Sequence, residues 1–456
     1  MPTLMVSVSG IRGIVGDGLD PDILVKYTSA YADFIKEGKV VVGRDARITG
    51  EMVLSIVTGT LAAKGLDVIE IGICPTPTVQ YTVKTLKANG GIAISASHNP
   101  NQWNALKLLN GTGQFMTPEE NIEMLKLLDY KNANYQSWDK IGKVTHTDEG
   151  LKRHVNDVRS LKYINLNEIR KRKFKVLLDC VNGAGVYVMP ALLREFGCEV
   201  IEMNCEKTGI FPRPPEPLPE NLTETMKAVK ANKADLGVVV DPDVDRLVLI
   251  TDKGEPFGEE NTITQAVKFI LSKEKGNVVV NLSTTRGVDD VAAVLGQKVF
   301  RSPVGEANVV KKMKEVNAVI GGEGSGGVIY PTLHYGRDAL VGVTITLQHM
   351  LEFGGSLSDL KKSLPHYFIA KKKIELGKAK PDEIISKLVQ KYGKEKINTD
   401  DGLRIDFPDH WVHFRKSNTE PIIRAIVEAK EETLAESFAI KYLDEIKALI
   451  DSTLKS

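Results

Sequence analysis

The sequence predicts an α/β protein with three related α/β domains containing mixed sheets and a smaller C-terminal α+β domain. First, its 456 residues are too many for one hydrophobic core, because folded domains usually hold roughly 50 to 200 residues. Second, a strand, a helix and a strand recur in the same order three times. Third, the composition changes after residue 365, where a run of lysines begins a different pattern.

Each repeated unit has two apolar runs on either side of a helical stretch, and loops rich in polar residues or glycine separate them. The units lie at residues 39–72, 175–201 and 278–300, and residues 432–454 form an amphipathic stretch. The polar segment 132–147 is predicted to be a joint, and the proline-rich segment 211–219 an extended ordered loop. We therefore predict domains at residues 1–150, 151–255, 256–367 and 368–456.

The composition argues against several classes of partner. The 60 Lys and Arg residues nearly balance the 59 Asp and Glu residues, so no global field favours nucleic acid or an anionic membrane. No apolar run reaches the roughly 20 residues that span a bilayer. The first residues lack the basic segment and apolar core of a signal peptide, and the four cysteines lack C-x-x-C spacing. A cytoplasmic location is predicted.

The first candidate site is the loop at residues 95–100. It follows an apolar run at 91–94, and Pro100 ends regular structure because proline has no N–H. Ser97 is thereby predicted at the carboxyl end of a strand, where open α/β sheets bind ligands. Lys107 lies ten residues further on, where it could act as an acid, a base or a phosphate counter-ion. Arg12 lies between Gly10 and Gly13, in a segment that could bind phosphate or form a plain turn.

The strongest local signal is the acidic loop that contains Asp241, Asp243 and Asp245, directly after the apolar run 236–240. Carboxylates at alternate positions repel one another unless a cation lies between them. Oxygen ligands without His or Cys favour Mg²⁺ over zinc. A calcium-binding EF-hand is excluded, because Arg246 stands where its glycine is needed. The remaining alternative is a solvated acidic turn.

Residues 321–327 are rich in glycine and contain the G-x-G-x-x-G pattern of dinucleotide sites. That pattern should open a helix, whereas the residues that follow are strand-like and end at Pro331. The loop then offers one carboxylate, Glu323, and one hydroxyl, Ser325, a combination that suits adjacent sugar hydroxyls. A purely structural glycine loop is the alternative.

A fourth loop, at residues 414–424, concentrates positive charge and hydrogen-bond donors suited to a phosphate dianion. A nucleic-acid patch is less well supported, because aromatic residues do not alternate with the charges. The candidate phosphate ligands are Arg415, Ser417, Asn418, Thr419 and Arg424.

Together these loops resemble the α-D-phosphohexomutase superfamily, which includes phosphoglucomutase, phosphomannomutase and phosphoglucosamine mutase. The chain carries the family's S-A-S-H-N-P, D-x-D-x-D-R, G-E-x-S-G and R-x-S-N-T-E-P motifs in the family's order. The resemblance implies four domains around a central cleft, with the serine, metal, sugar and phosphate loops in domains one to four.

The resemblance also implies a role for each candidate residue. Ser97 would carry a transferable phosphoryl group and, with Asp241, Asp243 and Asp245, hold one Mg²⁺ ion. Lys107 and Arg12 would assist proton and phosphoryl transfer, and His98 would support the serine loop. The substrate would be held by Arg246 beside the metal site, by Glu323 and Ser325 at the sugar hydroxyls, and by Arg415, Ser417, Asn418, Thr419 and Arg424 at the phosphate.

The implied reaction interconverts a hexose or hexosamine 1-phosphate and 6-phosphate through a hexose 1,6-bisphosphate, which also serves as activator. The partner is then a small sugar phosphate rather than nucleic acid or membrane, and the oligomeric state is open. A serine phosphatase and a non-catalytic sugar-phosphate-binding protein are the rival classes. Two residues depart from common family patterns, Ala105 in the N-G-x-K motif and Gly327 where many members have histidine. The choice among glucose, mannose and glucosamine is left open.

Overall fold

The computed structural model describes residues 3–7, 10–128, 134–377, 379–416 and 422–455. This part of the chain contains four separate β-sheets, with eight, four, four and five strands. The first three sheets mix parallel and antiparallel pairs, whereas the fourth is antiparallel throughout. The predicted fold class is confirmed. Each sheet lies within one of the four predicted ranges, and the boundaries of those ranges stay a prediction.

The first unit is built on the eight-stranded sheet. Its strands are β1 Met5–Ser7, β2 Gly10–Val15, β3 Gly18–Leu19, β4 Lys39–Arg44, β5 Asp67–Ile73, β6 Gly90–Ile94, β7 Trp103–Leu109 and β8 Val144–His146. Its helices are α1 Pro21–Ile35, α2 Gly50–Ala63, α3 Thr76–Leu86, α4 Pro118–Leu125 and α5 Glu149–Arg159. The strand order is β1-β2-β7-β6-β4-β5-β8, with β3 beside β2. Consecutive residues of β4 and β6 are buried, because helices cover both faces of these strands.

The second and third units are smaller. The second contains α6 Leu166–Arg172, β9 Lys175–Asp179, α7 Met189–Glu195, β10 Glu199–Met203, α8 Thr223–Ala231, β11 Leu236–Val240 and β12 Leu247–Thr251. The third contains α9 Glu259–Lys273, β13 Asn277–Asn281, α10 Gly287–Val294, β14 Val299–Ser302, α11 Glu306–Glu315, β15 Ala318–Glu323, β16 Gly327–Ile329, α12 Ala339–Phe353 and α13 Leu357–Lys362. Buried apolar residues of both units form one continuous cluster.

The three units share one topology. The sheets of the second and third units have the orders β10-β9-β11-β12 and β14-β13-β15-β16, which match the segment β5-β4-β6-β7 of the first sheet. In each of these sheets, three parallel strands lie side by side, and the fourth strand in the order is antiparallel to the third. The three repeats predicted from the sequence are therefore related by fold, and equivalent loops join equivalent strands.

The fourth unit consists of β17 Phe368–Glu375, α14 Pro381–Tyr392, β18 Lys396–Asn398, β19 Leu403–Asp406, β20 His410–Lys416, β21 Ile422–Ala429 and α15 Glu432–Lys455. Its strands lie in the order β17-β21-β20-β19-β18. Ala439, Tyr442 and Ile446 of α15 pack against this sheet in a separate core. Among the described residues, no helix combines the length and the apolar character that crossing a membrane requires.

The structure differs from the sequence pattern in two places. The end of segment 132–147, predicted to be a joint, forms β8, which pairs with β5 at the register Val68 to Val144. This strand has only three residues, all exposed, so it lacks the apolar alternation that a sequence pattern needs. In the second unit the helical stretch begins with a 3₁₀ turn, Ala184–Tyr187, which the sequence pattern does not indicate, and continues as α7, where Pro190 favours the first helical turn.

Asp338 connects the third unit to α5. Its Oδ1 accepts a hydrogen bond from the Leu340 N–H at 2.8 Å and caps α12. Its Oδ2 lies 2.8 Å from His154 Nε2 and 3.0 Å from His334 Nε2, and all three side chains are buried. Burial alone would raise the pKa of Asp338, but the imidazoles of His154 and His334 lower it below its usual range.

We predict that Asp338→Ala lowers the free energy of unfolding by about 3–5 kcal/mol, because two buried imidazoles and a helix N-terminus lose their acceptor. Urea unfolding followed by circular dichroism measures this loss. The control is Ser356→Ala, which removes the cap of α13 without touching a buried charge and should cost about 1 kcal/mol. Equal losses in the two variants would contradict the linking role of Asp338.

Glu260 is a half-buried carboxyl in the first turn of α9. Its Oε2 accepts a hydrogen bond from the Thr285 N–H at 2.9 Å. A Cβ added to Gly324 would lie 2.1 Å from Glu260 Oε1, so this carboxyl lies directly against the glycine-rich loop. Burial raises the pKa of Glu260 to about 8, and the group is therefore protonated at neutral pH.

Between an ordinary pKa of 4.5 and about 8, the folded chain keeps a proton on Glu260 that the unfolded chain has lost. Stability should therefore fall as pH rises through this window, by up to about 1.4 kcal/mol per pH unit. We predict that Glu260→Gln removes this part of the pH dependence, as measured by urea unfolding at pH values of about 5, 6.5 and 8. The exposed Glu37→Gln is the control. If the free energy of unfolding of Glu260→Gln changes with pH as steeply as that of the wild type, the raised pKa does not belong to Glu260.

Candidate active site

The serine loop joins β6 to β7, and a buried arginine holds its backbone in place. The guanidinium of Arg47 donates to the carbonyl oxygens of Ser97 at 2.7 Å, Asn99 at 2.7 Å, Pro100 at 2.6 Å and Trp103 at 3.0 Å. Ser97 itself has a φ of +48°, in the left-handed region that side chains seldom occupy. The four hydrogen bonds from Arg47 stabilise this conformation.

Arg47 is in turn fixed by Asp45. The Arg47 Nε lies 3.0 Å from Asp45 Oδ2, and the same carboxylate oxygen accepts a hydrogen bond from Ser95 Oγ at 2.7 Å. Ser95 Oγ then accepts from the Ser97 N–H at 3.0 Å. Sequence reasoning missed both Asp45 and Arg47 as site residues. The available signal was a pair of opposite charges directly after the buried strand β4.

The acidic loop joins β11 to β12 and lies against the serine loop. Asp241, Asp243 and Asp245 are at most 1% exposed, and one oxygen of each lies within 4.8 Å of the others. The Ser97 hydroxyl donates to Asp241 Oδ2 at 2.9 Å, so the serine loop and the acidic loop are in direct contact. Oδ1 of Asp243 and Oδ1 of Asp245 are buried without a hydrogen-bond partner. Buried carboxylate oxygens that lack donors fit a hard divalent cation such as Mg²⁺.

Lys107 supplies positive charge to this loop from β7. Its Nζ lies 2.6 Å from Asp243 Oδ2 and 3.6 Å from Asp245 Oδ2. Burial alone would lower the pKa of Lys107, but Asp243 and Asp245 raise it above its ordinary value. Burial, together with the charges of Asp245 and Asp243, raises the pKa of Asp241. Lys107 therefore stays a cation in a strongly acidic environment.

Three further predicted residues surround Ser97. Arg12 on β2 donates from NH1 to Asn99 Oδ1 at 3.2 Å, and its backbone pairs with Ala105 of β7. His98 Nδ1 lies 3.5 Å from Ser97 Oγ, and burial with the nearby charge of Arg246 lowers the pKa of His98 to about 3. His98 is therefore neutral at physiological pH. The backbone N–H of Arg246 donates to Asp241 Oδ1 at 3.2 Å, so this residue lies beside the acidic loop.

The sugar loop joins β15 to β16, and Glu323 ends the first of these strands. Its Oε1 accepts hydrogen bonds from Asn281 Nδ2 at 2.8 Å and the Gly305 N–H at 2.9 Å. Its Oε2 accepts from NH1 of Arg337 at 2.7 Å, and NH2 of the same arginine lies 2.7 Å from Asp245 Oδ2. Arg337 thus connects the sugar loop to the acidic loop. Ser325 is half-buried at the tip of the loop.

The phosphate loop joins β20 to β21. Arg415, Arg424 and Lys373 are direct neighbours on three adjacent antiparallel strands, so the three cations share one face of the sheet. Arg415 Nε donates to Asp401 Oδ2 at 2.8 Å, and the same oxygen accepts from the Val304 N–H at 3.0 Å. Sequence reasoning missed Lys373 and Asp401. The predicted ligands Ser417, Asn418 and Thr419 lie outside the described residues.

All four loops share a structural origin, because each joins a strand to the antiparallel strand beside it. The serine, acidic and sugar loops occupy the same position in the three repeated units. Contacts then link them in order: Ser97 to Asp241, Asp245 through Arg337 to Glu323, and Gly305 with Val304 through Asp401 to Arg415. The structure thus brings the described candidate residues into one connected site.

The chain matches all four domains of one protein family along most of its length. The alpha/beta/alpha domains I, II and III of phosphoglucomutase/phosphomannomutase match residues 4–132, 152–254 and 260–368, and the C-terminal domain of that family matches residues 372–444. Individual proteins and a solved structure agree with this match.

A probable phosphoglucosamine mutase from Methanopyrus kandleri is 34% identical over 451 residues, covering 97% of this chain and 98% of that protein. A phosphoglucomutase/phosphomannomutase from Thermococcus kodakarensis is 36% identical, with 96% of this chain and 97% of that protein covered. The crystal structure of a family member from Burkholderia thailandensis has a TM-score of 0.85 at 25% identity, covering 97% and 98% of the two chains. This chain therefore belongs to the phosphoglucomutase/phosphomannomutase family and is a phosphohexomutase, an isomerase of hexose phosphates.

Proposed function

We propose that this phosphohexomutase uses Ser97 as the carrier of the phosphoryl group that it transfers. The observation that carries the proposal is the 2.9 Å contact between the Ser97 hydroxyl and Asp241, inside a buried carboxylate cluster with unpartnered oxygens. A hydroxyl in such a place is poorly suited to a purely structural role. It is well suited to hold a phosphoryl group whose charge a bound cation balances.

Mg²⁺ is the proposed metal, with Asp241, Asp243 and Asp245 and the phosphorylated Ser97 as its ligands. The buried oxygens that lack donors support this assignment, as does the absence of His and Cys from the cluster. When bound, the ion supplies positive charge that stabilises the transferring phosphoryl group. Lys107, which its neighbours hold as a cation, and Arg12 add positive charge from the protein itself.

In the proposed cycle the phosphoserine gives its phosphoryl group to the free hydroxyl of a hexose 1- or 6-phosphate. The O–P bond to Ser97 breaks as a new O–P bond to the sugar forms, the proton of the sugar hydroxyl ends on Ser97 Oγ, and the product is a 1,6-bisphosphate. The bisphosphate turns around in the site, and its other phosphoryl group returns to Ser97. His98 lies beside Ser97 and is proposed to support the serine loop.

The sugar and the second phosphate are assigned to the other two loops. Glu323 and Ser325 are proposed to bind hydroxyls of the sugar, and Arg246 to contact substrate beside the metal. Arg415 and Arg424 are proposed to bind the phosphate that is not being transferred, with Ser417, Asn418 and Thr419. Lys373 joins them, because it lies on the same sheet face. The relatives' names include glucosamine, galactosamine, glucose and mannose phosphates, so both hexoses and hexosamines belong in the substrate test.

We predict that Ser97→Ala abolishes isomerisation of glucose, mannose and glucosamine 1-phosphate assayed side by side, while the thermal unfolding midpoint stays near that of the wild type. Only Oγ is removed, and the loop keeps its bonds to Arg47. Wild-type enzyme treated with a trace of hexose 1,6-bisphosphate should gain one phosphate on the peptide that contains Ser97, as mass spectrometry would show. Release of inorganic phosphate without isomerisation would favour the phosphatase alternative, and binding without turnover the non-catalytic one.

We predict that Arg415→Ala raises the KM for a hexose phosphate by about 10- to 100-fold, because a charge-assisted contact to phosphate contributes about 1.5–3 kcal/mol. Affinity for the unphosphorylated sugar should not change, and steady-state kinetics with calorimetry measures both. Lys372→Ala is the matched control, since Lys372 pairs with Glu436 on the opposite face of the same sheet. A KM equal to that of the wild type in Arg415→Ala would exclude this phosphate site.

A further inference from the structure

Arg337 forms ion pairs with three carboxylates that come from different elements. Its guanidinium lies 2.7 Å from Asp245 in the acidic loop, 2.7 Å from Glu323 in the sugar loop and 3.1 Å from Glu306 in the first turn of α11. The Arg337 side chain is 12% exposed, and the carboxylates are 5% exposed or less. A planar guanidinium with five N–H donors can satisfy three carboxylates at once, whereas a lysine ammonium is a single compact charge.

The stem of the same arginine explains the departure at Gly327. A Cβ added to Gly327 would lie 2.3 Å from Arg337 Cδ and 2.9 Å from Arg337 Cγ. Such distances are far inside van der Waals contact, so no side chain fits at position 327 while Arg337 holds its present position. The side chain of Arg337 therefore fills the space that a side chain at position 327 would need.

Arg337 also binds one carboxylate oxygen of Glu323 and one of Asp245. At Glu323, Asn281 and Gly305 donate to Oε1, and Arg337 donates to Oε2. At Asp245, Arg337 occupies Oδ2 and leaves Oδ1 without a hydrogen-bond partner. One side chain thus sets the orientation of a sugar-binding carboxylate and of a metal-binding carboxylate together.

We propose that Arg337 is a positioning residue that couples sugar binding to metal binding, and that Gly327 is glycine because the stem of Arg337 needs its space. This inference rests on the proposed function of the two loops and extends it. It requires that a change at Arg337 alters both the affinity for the sugar phosphate and the affinity for Mg²⁺, although Arg337 is assigned to neither ligand.

The first test uses Arg337→Lys, which keeps the charge but replaces the planar fork with one ammonium. We expect kcat/KM to fall by about 10- to 100-fold, as is typical when a residue that orients metal ligands is changed. Calorimetry with MgCl₂ alone should show weaker binding, and titration with a hexose 6-phosphate a higher Kd. Arg213→Lys is the matched control, because Arg213 is 11% exposed and pairs with Asp179 instead. It should leave both Kd values unchanged.

The second test separates positioning from packing. Arg337→Gly should lose activity that millimolar methylguanidine partly restores and methylamine does not, since only the former supplies the planar donors. Gly327→Ala should lower kcat/KM in the wild type, yet cost less than about twofold in the Arg337→Gly background, because residues in contact are non-additive. If Arg337→Gly does not fold, Arg337→Lys alone decides the matter.

Wild-type Kd values for Mg²⁺ and for hexose phosphate in Arg337→Lys would overturn the inference, as would additive losses from Gly327→Ala and Arg337→Gly. Those results would leave the proposed function intact if the wild-type enzyme still isomerises its substrate through phosphorylated Ser97. Failure of the wild type to isomerise any of the hexose or hexosamine phosphates would instead reject the proposed function. The two failures are therefore distinguishable.

Discussion

The buried negative charge of Asp241, Asp243 and Asp245 is the constraint on which the rest of the site depends. Their oxygens lie within 4.8 Å of one another and away from water, where like charges repel strongly. The protein balances part of that charge with Lys107 from the first unit and Arg337 from the third. The first and third units therefore stabilise the acidic loop of the second unit.

This charge balance explains why four units with separate sheets form one site. The Ser97 loop reaches the carboxylates from one side, and Arg337 carries the connection onward to Glu323. Gly305 binds Glu323 through its N–H, and the preceding Val304 binds Asp401, the partner of Arg415. A single series of hydrogen bonds and ion pairs thus extends from Ser97 to Arg415. Three of these contacts cross from one unit to the next: Ser97 to Asp241, Arg337 to Asp245, and Val304 to Asp401.

Much of this arrangement could be predicted from the sequence, because its signals are local. Apolar runs of strand length identified the three repeats, and alternating aspartates directly after one such run identified the acidic loop. The charges of Asp45 and Arg47 also follow a buried strand but do not indicate their partners, and Arg337 and Asp401 carry no such signal. Their roles depend on partners 50 or more residues away in the chain for Arg47, and 92 residues away for Arg337 and Asp245. Gly327 shows the same limit, since the reason for a missing side chain lies in the stem of Arg337.

The four hydrogen bonds from Arg47 to the serine loop have a consequence for the direction of motion during catalysis. Because four backbone carbonyl oxygens of its loop are held by Arg47, Ser97 stays in one position. In the proposed cycle both ends of the sugar must therefore visit the same point in space, and the travelling part is the ligand. To turn around, the bisphosphate must then leave its contacts with the protein and form them again at the other end. An enzyme of this design therefore tends to lose the bisphosphate to solvent and needs a supply of it from solution.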